Sequence, residues 1–228
     1  AFESQLGALD VAAGPAAAHP HASTADGTLG ETALLRFIDW VEPLLRRDSY
    51  LALLAERTEV LGRLLKLLGL ARWPMSYLMR HPGVIDELAD TRLTLERFDP
   101  RSFIRDLEER HQAWMRSGQL DEELLLDMLR RAHQAETFRI LVRDVEGQIE
   151  VEQVADDLSA LADATLDVCL RWAWQHLRSR HREEPRFCVV AYGKLGGKEL
   201  GYGSDLDIVF LYDDDDDRAP EVYDTYAR

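Results

Sequence analysis

Apolar residues recur at three- and four-residue intervals from about Thr32 to about Ser179, the period of a helix that buries one face. Leu34, Leu35, Ile38, Val41, Leu44 and Leu45 form a first such face, and Leu51, Leu54, Leu61, Leu64, Leu65 and Leu68 continue it, with Gly69 as a stop. In "ARWPMSYLMRHPGVIDELAD", Pro74 and Pro82 each suit a first helical turn and predict two short helices. Asp99-Pro100 predicts the start of another helix, running to about Arg116, and Gly118 its end. Asp121 predicts the cap of a helix with Leu124, Leu125, Met128, Leu129, Ala132, Ala135 and Phe138 facing inward, which Gly147 breaks. The last and longest helix carries Val154, Leu158, Leu161, Thr165, Val168, Trp172 and His176 at helical spacing. No repeat of fixed period is present.

The texture changes at Pro185. "RFCVVAYG" is short, apolar and β-branched, and predicts a strand; "LDIVFLY" predicts a second. Between them lies "KLGGKELGYGSD", with a short helical turn expected at Lys198–Leu200. Residues 1–30, rich in Ala, Gly, Pro, His and Ser, read as a linker or tail, in which Gly14-Pro15 would end an Ala-rich helix around 4–13. The fold class expected is mainly α with an α/β part: a helical region over 31–183, then the opening of an α/β region over 184–228.

Composition narrows the function classes. The 228 residues allow one large or two small domains, and a 46% hydrophobic content allows a substantial core. No apolar run reaches the length of a membrane span, and the N-terminal stretch has neither the basic start nor the apolar block of a signal peptide. A cytoplasmic protein without membrane contact is expected. The formal net charge of −15 opposes general nucleic-acid binding, which needs clustered Lys and Arg to displace counterions. Cys169 lies in a helical pattern and Cys188 in a strand pattern, and they read as two buried thiols rather than a disulfide. The run Asp213 to Asp217 reads as a solvated loop after the second strand. The histidines show no ligand spacing, His19 and His21 falling in the tail. Trp40, Trp73, Trp114, Trp172 and Trp174 are expected to pack cores or helix interfaces, and Tyr192 and Tyr202, which flank the glycine-rich loop, to pack the fold.

The candidate chemistry lies in "AYGKLGGKELGYGSDLDIVFLY". In a strand, residues i and i+2 share a face, about 6.5–7 Å apart. Asp205 and Asp207 then project side by side, opposite Leu206, Ile208 and Phe210. Two like charges so close repel, and a divalent cation removes that penalty. Mg²⁺ suits such a pair, because it takes a few carboxylate oxygens and completes its shell with water and phosphate oxygens. The preceding loop offers the phosphate side. Gly193, Gly196 and Gly197 let backbone N–H groups approach an anion, Lys194 adds a charge, and Ser204 can donate a hydrogen bond. The loop is neither a Walker loop nor a dinucleotide-binding fingerprint.

"VVAYGKLGGKELGYGSDLDIVFLYD" closely resembles the nucleotidyltransferase signature of the glutamine synthetase adenylyltransferase/deadenylase family, within the wider DNA polymerase β-like nucleotidyltransferases, where a Gly-rich turn precedes two aspartates on a strand. "AETFRILVRDVEGQIEVEQVADDLSALADATLD" and "YLALLAERTEVLGRLLKLLGLARWPMSYLMRHPGVIDELAD" resemble helical segments of the same family, so the likeness covers about residues 33–213. The resemblance implies two related halves in the whole protein, one attaching AMP to glutamine synthetase and one removing it, with "AYGKLGGKELGYGSDLD" more like the attaching half. It implies Mg²⁺ on Asp205 and Asp207 as catalytic carboxylates, ATP as substrate with its triphosphate at Gly193, Lys194, Gly196, Gly197 and Ser204, and glutamine synthetase and PII-type signal proteins as partners. Residues 1–30 would be a linker between halves, and 184–228 the first part of a truncated catalytic domain. The family's third carboxylate, in a Val-Asp-x-Arg-Leu-Arg-Pro segment, does not occur up to Arg228. Two alternatives remain open: a non-catalytic helical interaction or regulatory module of the same enzyme, and a related nucleotidyltransferase, either the deadenylylating half or a uridylyltransferase.

Overall fold

The computed structural model describes residues 26–44, 48–89, 96–118 and 122–228. The expected helix at 4–13, nearly all of the 1–30 tail and the Asp121 cap lie outside the described residues. The elements are α1 (Asp26–Val41), a 3-10 turn (Glu42–Leu44), α2 (Asp48–Glu56), α3 (Thr58–Leu70), α4 (Trp73–Arg80), a 3-10 helix (Pro82–Ala89), α5 (Pro100–Ser117), α6 (Glu122–Val145), α7 (Val151–His176), β1 (Phe187–Ala191), α8 (Gly193–Gly196), β2 (Ile208–Tyr212) and α9 (Ala219–Ala227). The fold is mainly α with a small α/β part. No helix among the described residues is long and apolar enough to cross a membrane.

Local chemistry sets several boundaries. The Asp99 carboxylate accepts hydrogen bonds from the N–H groups of Arg101 and Ser102, at 3.0 and 3.3 Å, satisfying two donors that α5 leaves open. Gly118 ends α5 with φ +73°, and Gly147 follows α6 with φ +72°, the left-handed region in which glycine is unstrained. Pro74 sits in the first turn of α4. Pro82 also opens a helix, but of the tighter 3-10 form.

Two compact units form. The first comprises Gln134–Val154 and the described residues of Pro15–Phe98. Its core contains Trp40, Val60, Leu64, Leu67, Leu68, Leu78, Ile85, Leu88, Phe138 and Ile140. Tyr77 stacks on Phe138 and donates its hydroxyl to the Gln134 carbonyl at 2.9 Å. Arg139 pairs with Glu87 at 2.7 Å, and the Arg143 guanidinium donates to the Glu96 carbonyl. The first helical face differs from expectation. Leu34, Leu35 and Ile38 are half exposed or more, while Leu44 is buried as expected and Ala33 and Trp40 also go inside.

The second unit comprises Asp99–His133 and Ala155–Arg228. Between α5 and α7, His111 stacks near Trp172 (centroids 4.6 Å), its Nε2 lies 3.2 Å from that of His176, and Trp172 donates to Glu108 at 3.3 Å. Burial pushes the His111 imidazole below its ordinary value; Glu108 pulls it up and His176 pushes it down. The two strands pair antiparallel, with Phe187 opposite Tyr212 and Ala191 opposite Ile208. The core against the sheet joins Phe187 of β1 to Leu170, Ala173 and Trp174 near the end of α7, Leu177 just beyond it, and Ala219, Val222, Tyr223 and Tyr226 of α9, a helix the sequence reading missed. Phe187 stacks with Phe210 and Tyr223, and Tyr223 with Tyr212 and Trp174.

The aspartate run is not a uniformly solvated loop. The Asp214 side chain is fully buried, where it meets His181 Nε2 at 2.8 Å, Arg182 at 2.5 Å, the Tyr223 hydroxyl at 2.8 Å and the Asp216 N–H at 3.1 Å. Burial alone would raise its carboxyl; the hydrogen bonds from His181, Asp216 and Tyr223, with the Arg182 charge, outweigh that and hold it well below the usual carboxylate range. The loop leaving β2 is thereby tied to the segment entering β1. Both cysteines are free thiols, as expected, but only Cys169 is buried; Cys188 is exposed.

Candidate active site

The site lies within the second unit, where β1 turns through α8 and a loop into β2. The ladder begins at Ile208, so Asp205 and Asp207 precede the strand rather than lie on it. The Asp207 carbonyl nevertheless accepts from the Tyr192 N–H at 2.7 Å, one step beyond the ladder. Exposure alternates without a break from 205 to 211. Asp205, Asp207, Val209 and Leu211 are open, and Leu206, Ile208 and Phe210 are partly covered. Both carboxylates therefore share one face, opposite the one that α9 covers, as the i, i+2 spacing predicts. Among the described residues no ion pair engages either of them.

The glycine-rich segment folds differently from expectation. Its helical turn spans Gly193–Gly196, not Lys198–Leu200, and Lys198 itself takes φ +54°. The N–H groups of Gly196 and Gly197 donate inside the turn, to the carbonyls of Tyr192 (2.9 Å) and Gly193 (3.0 Å). The use of Gly196 is steric: a Cβ there would lie 2.6 Å from the Ala191 carbonyl oxygen, so the turn packs directly on the end of β1. Lys194 is exposed. The Ser204 oxygen accepts from the Gly201 N–H at 2.9 Å, which leaves its hydroxyl proton to donate elsewhere. Leu195 and Leu200 are buried and anchor the loop. Tyr192, expected to pack the fold, is 56% exposed beside the turn.

Among the described residues no cluster of three or more His, Cys, Asp or Glu side chains could enclose a metal ion. Two open, unpaired carboxylates fit a cation that takes the rest of its shell from water and phosphate, as Mg²⁺ does.

A glycine-rich turn leading into two aspartates at the head of a strand is the arrangement expected from the nucleotidyltransferase signature that the sequence resembles. Comparison with known proteins narrows this. Residues 61–226 match the family model described as glutamate-ammonia ligase adenylyltransferase. The chain is 49% identical over 201 residues to the bifunctional glutamine synthetase adenylyltransferase/adenylyl-removing enzyme of Ralstonia nicotianae, covering 88% of this chain and 21% of that protein. It is 48% identical over 221 residues to the enzyme of the same description from Burkholderia mallei, covering 97% and 22%, and 43% identical over 195 residues to that from Neisseria meningitidis serogroup B, covering 86% and 21%. The chain belongs to the glutamate-ammonia ligase adenylyltransferase family. It spans about a fifth of the length of these relatives.

Proposed function

We propose that this chain supplies the aspartate pair and glycine turn of an adenylyltransferase site that, in the full-length protein, moves AMP from ATP to a tyrosine hydroxyl of glutamine synthetase. The observation that carries the reading is the open face at the head of β2: Asp205 and Asp207 are exposed together, unpaired, beside a turn whose Lys194 is also exposed. The relatives' names support glutamine synthetase as acceptor, and the likeness of "AYGKLGGKELGYGSDLD" to the attaching half supports addition of AMP.

In this reading Asp205 and Asp207 would hold Mg²⁺, which supplies neutralisation of the triphosphate and of the leaving pyrophosphate. Lys194 binds phosphate oxygens as a mobile point charge, and Ser204 orients a phosphate oxygen through its free hydroxyl proton. The acceptor oxygen bonds to the α-phosphorus, the bond to pyrophosphate breaks, and the hydroxyl proton passes to solvent. Because the nucleophile belongs to the acceptor protein, the chain's task is positioning and charge neutralisation. The roles given to the glycines, Lys194 and Ser204 concern phosphates and not the base, so the nucleotide is tested directly. The full-length enzyme is offered α-labelled ATP and UTP with glutamine synthetase, and the modified residue is located by mass spectrometry. AMP on a tyrosine is expected. Preferential transfer of UMP, or label on another residue type, overturns the proposal.

A further inference from the structure

Gly193 combines two features that glycine alone satisfies together. Its φ is +52°, and the space above its Cα is filled by the Asp207 carboxylate: a Cβ there would overlap Oδ2 and lie 3.1 Å from Cγ and 3.4 Å from the Asp207 Cβ. The backbone of Asp207 is held independently by the 2.7 Å hydrogen bond from the Tyr192 N–H and by the adjacent pairing of Ala191 with Ile208. With the main chain fixed on both sides, the remaining freedom of this carboxylate is rotation about its side-chain bonds. The missing side chain of Gly193 decides which rotation is open.

We propose that Gly193 is a positioning residue, whose bare Cα seats the Asp207 carboxylate in the orientation that cation and phosphate binding require. This rests on the nucleotidyltransferase reading above. Gly196 gives the contrast. Its absent Cβ faces the backbone of β1, so a side chain there would disturb the turn itself. The absent Cβ of Gly193 faces the tip of a side chain that can swing away, so a side chain there moves the carboxylate and spares the turn. Sequence reasoning took Gly193 for a phosphate contact, because the partner filling its space lies fourteen residues on.

The two features separate by substitution, because asparagine tolerates positive φ much better than alanine does, while both carry a Cβ. The test uses the full-length enzyme, Mn²⁺ as probe read by electron paramagnetic resonance, and amide hydrogen exchange across β1 and β2. Gly193→Ala, Gly193→Asn and Asp207→Asn are compared, scoring the Mn²⁺ sites that Asp207→Asn weakens. Both Gly193 variants are expected to weaken Mn²⁺ at those sites about tenfold or more, with strand protection kept within about threefold of the parent. Restored binding in Gly193→Asn but not in Gly193→Ala would assign the glycine to its φ alone and overturn the proposal. Parent-like binding in both Gly193 variants would also overturn it while leaving the metal reading intact. Collapse of strand protection in Gly193→Asn would make the glycine a folding residue, again overturning it. Parent-like binding in Asp207→Asn would instead sink the metal reading, and the proposal with it.

Discussion

Replacing Gly196 by alanine puts a methyl group where the turn rests on β1. Its Cβ would lie 2.6 Å from the Ala191 carbonyl oxygen and 3.0 Å from the carbonyl carbon, whereas ordinary contact begins at 3.4 Å. Both atoms are backbone at the last rung of the ladder, opposite Ile208, so neither can rotate aside. Glycine to alanine at a negative φ ordinarily stabilises by about 0.4–1 kcal/mol, through the reduced entropy of the unfolded chain. Overpacking against an unyielding neighbour costs about 1–3 kcal/mol and outweighs it, for a net local loss of about 1–2 kcal/mol. Gly197→Ala is the matched control. Its Cβ would meet Gly193 O at 3.4 Å and Glu199 at 3.6 Å, and its φ of −83° suits any residue, so only the entropic gain survives. Amide exchange at positions 196 and 197, whose N–H groups close the turn, reads both effects in the full-length protein. Since 1.4 kcal/mol is a factor of ten, protection should fall roughly 5- to 30-fold in Gly196→Ala and rise by up to about fivefold in Gly197→Ala. Equal protection in the two variants would refute the steric argument.

Three further outcomes follow from the second unit. The depressed His111 means that the unfolded chain binds its proton more readily, so this residue contributes stability above about pH 6.5 that is lost as pH falls. His111→Phe should therefore flatten the acid-side decline of amide protection in α5 and α7 between about pH 7 and 5, and an unchanged slope would contradict the assignment. The Asp214 carboxyl is also depressed, so its contribution is present above the ordinary carboxylate range near pH 3.9 and lost below it; Asp214→Asn should leave α9 less protected at neutral pH and remove the further loss in acid. Cys188, exposed on β1, should react with iodoacetamide in the native protein while Cys169, buried with its thiol pushed up to about 11, does not; equal labelling would mean that the sheet face or the helix packing is misplaced.

Helix ends were legible where one residue type serves one local purpose. Asp99 caps with its own carboxylate and Gly118 supplies a positive φ, and neither depends on distant chain. Rotation of a helix about its axis was less legible, because apolar residues fall on more than one side of α1; Trp40 and Ala33 went inside and Leu34, Leu35 and Ile38 did not. α9 had a signal that the acidic run obscured. Ala219, Val222, Tyr223 and Tyr226 fall at i, i+3, i+4 and i+7 with Pro220 in the first turn, and all four are buried. The burial of Asp214 had none, since its partners His181 and Arg182 lie more than thirty residues away. At the site, the period of two placed Asp205 and Asp207 on one open face. The turn was misplaced because glycines argue against a helix locally, whereas here close packing on β1 requires a glycine at 196.

In the proposed function Asp205 and Asp207 are the working carboxylates of a nucleotidyl transfer site. The measurement that bears on it most directly is the initial rate of AMP transfer from α-labelled ATP to glutamine synthetase by the full-length enzyme and by its Asp205→Asn and Asp207→Asn variants, each first shown to keep the parent's amide protection in β1 and β2. Both carboxylates are exposed and unpaired, so asparagine should leave the fold intact while each variant loses about a hundred- to a thousandfold in rate, the scale of removing one preorganised electrostatic contact in a transition state. Transfer at the parent's rate by either folded variant would contradict the account.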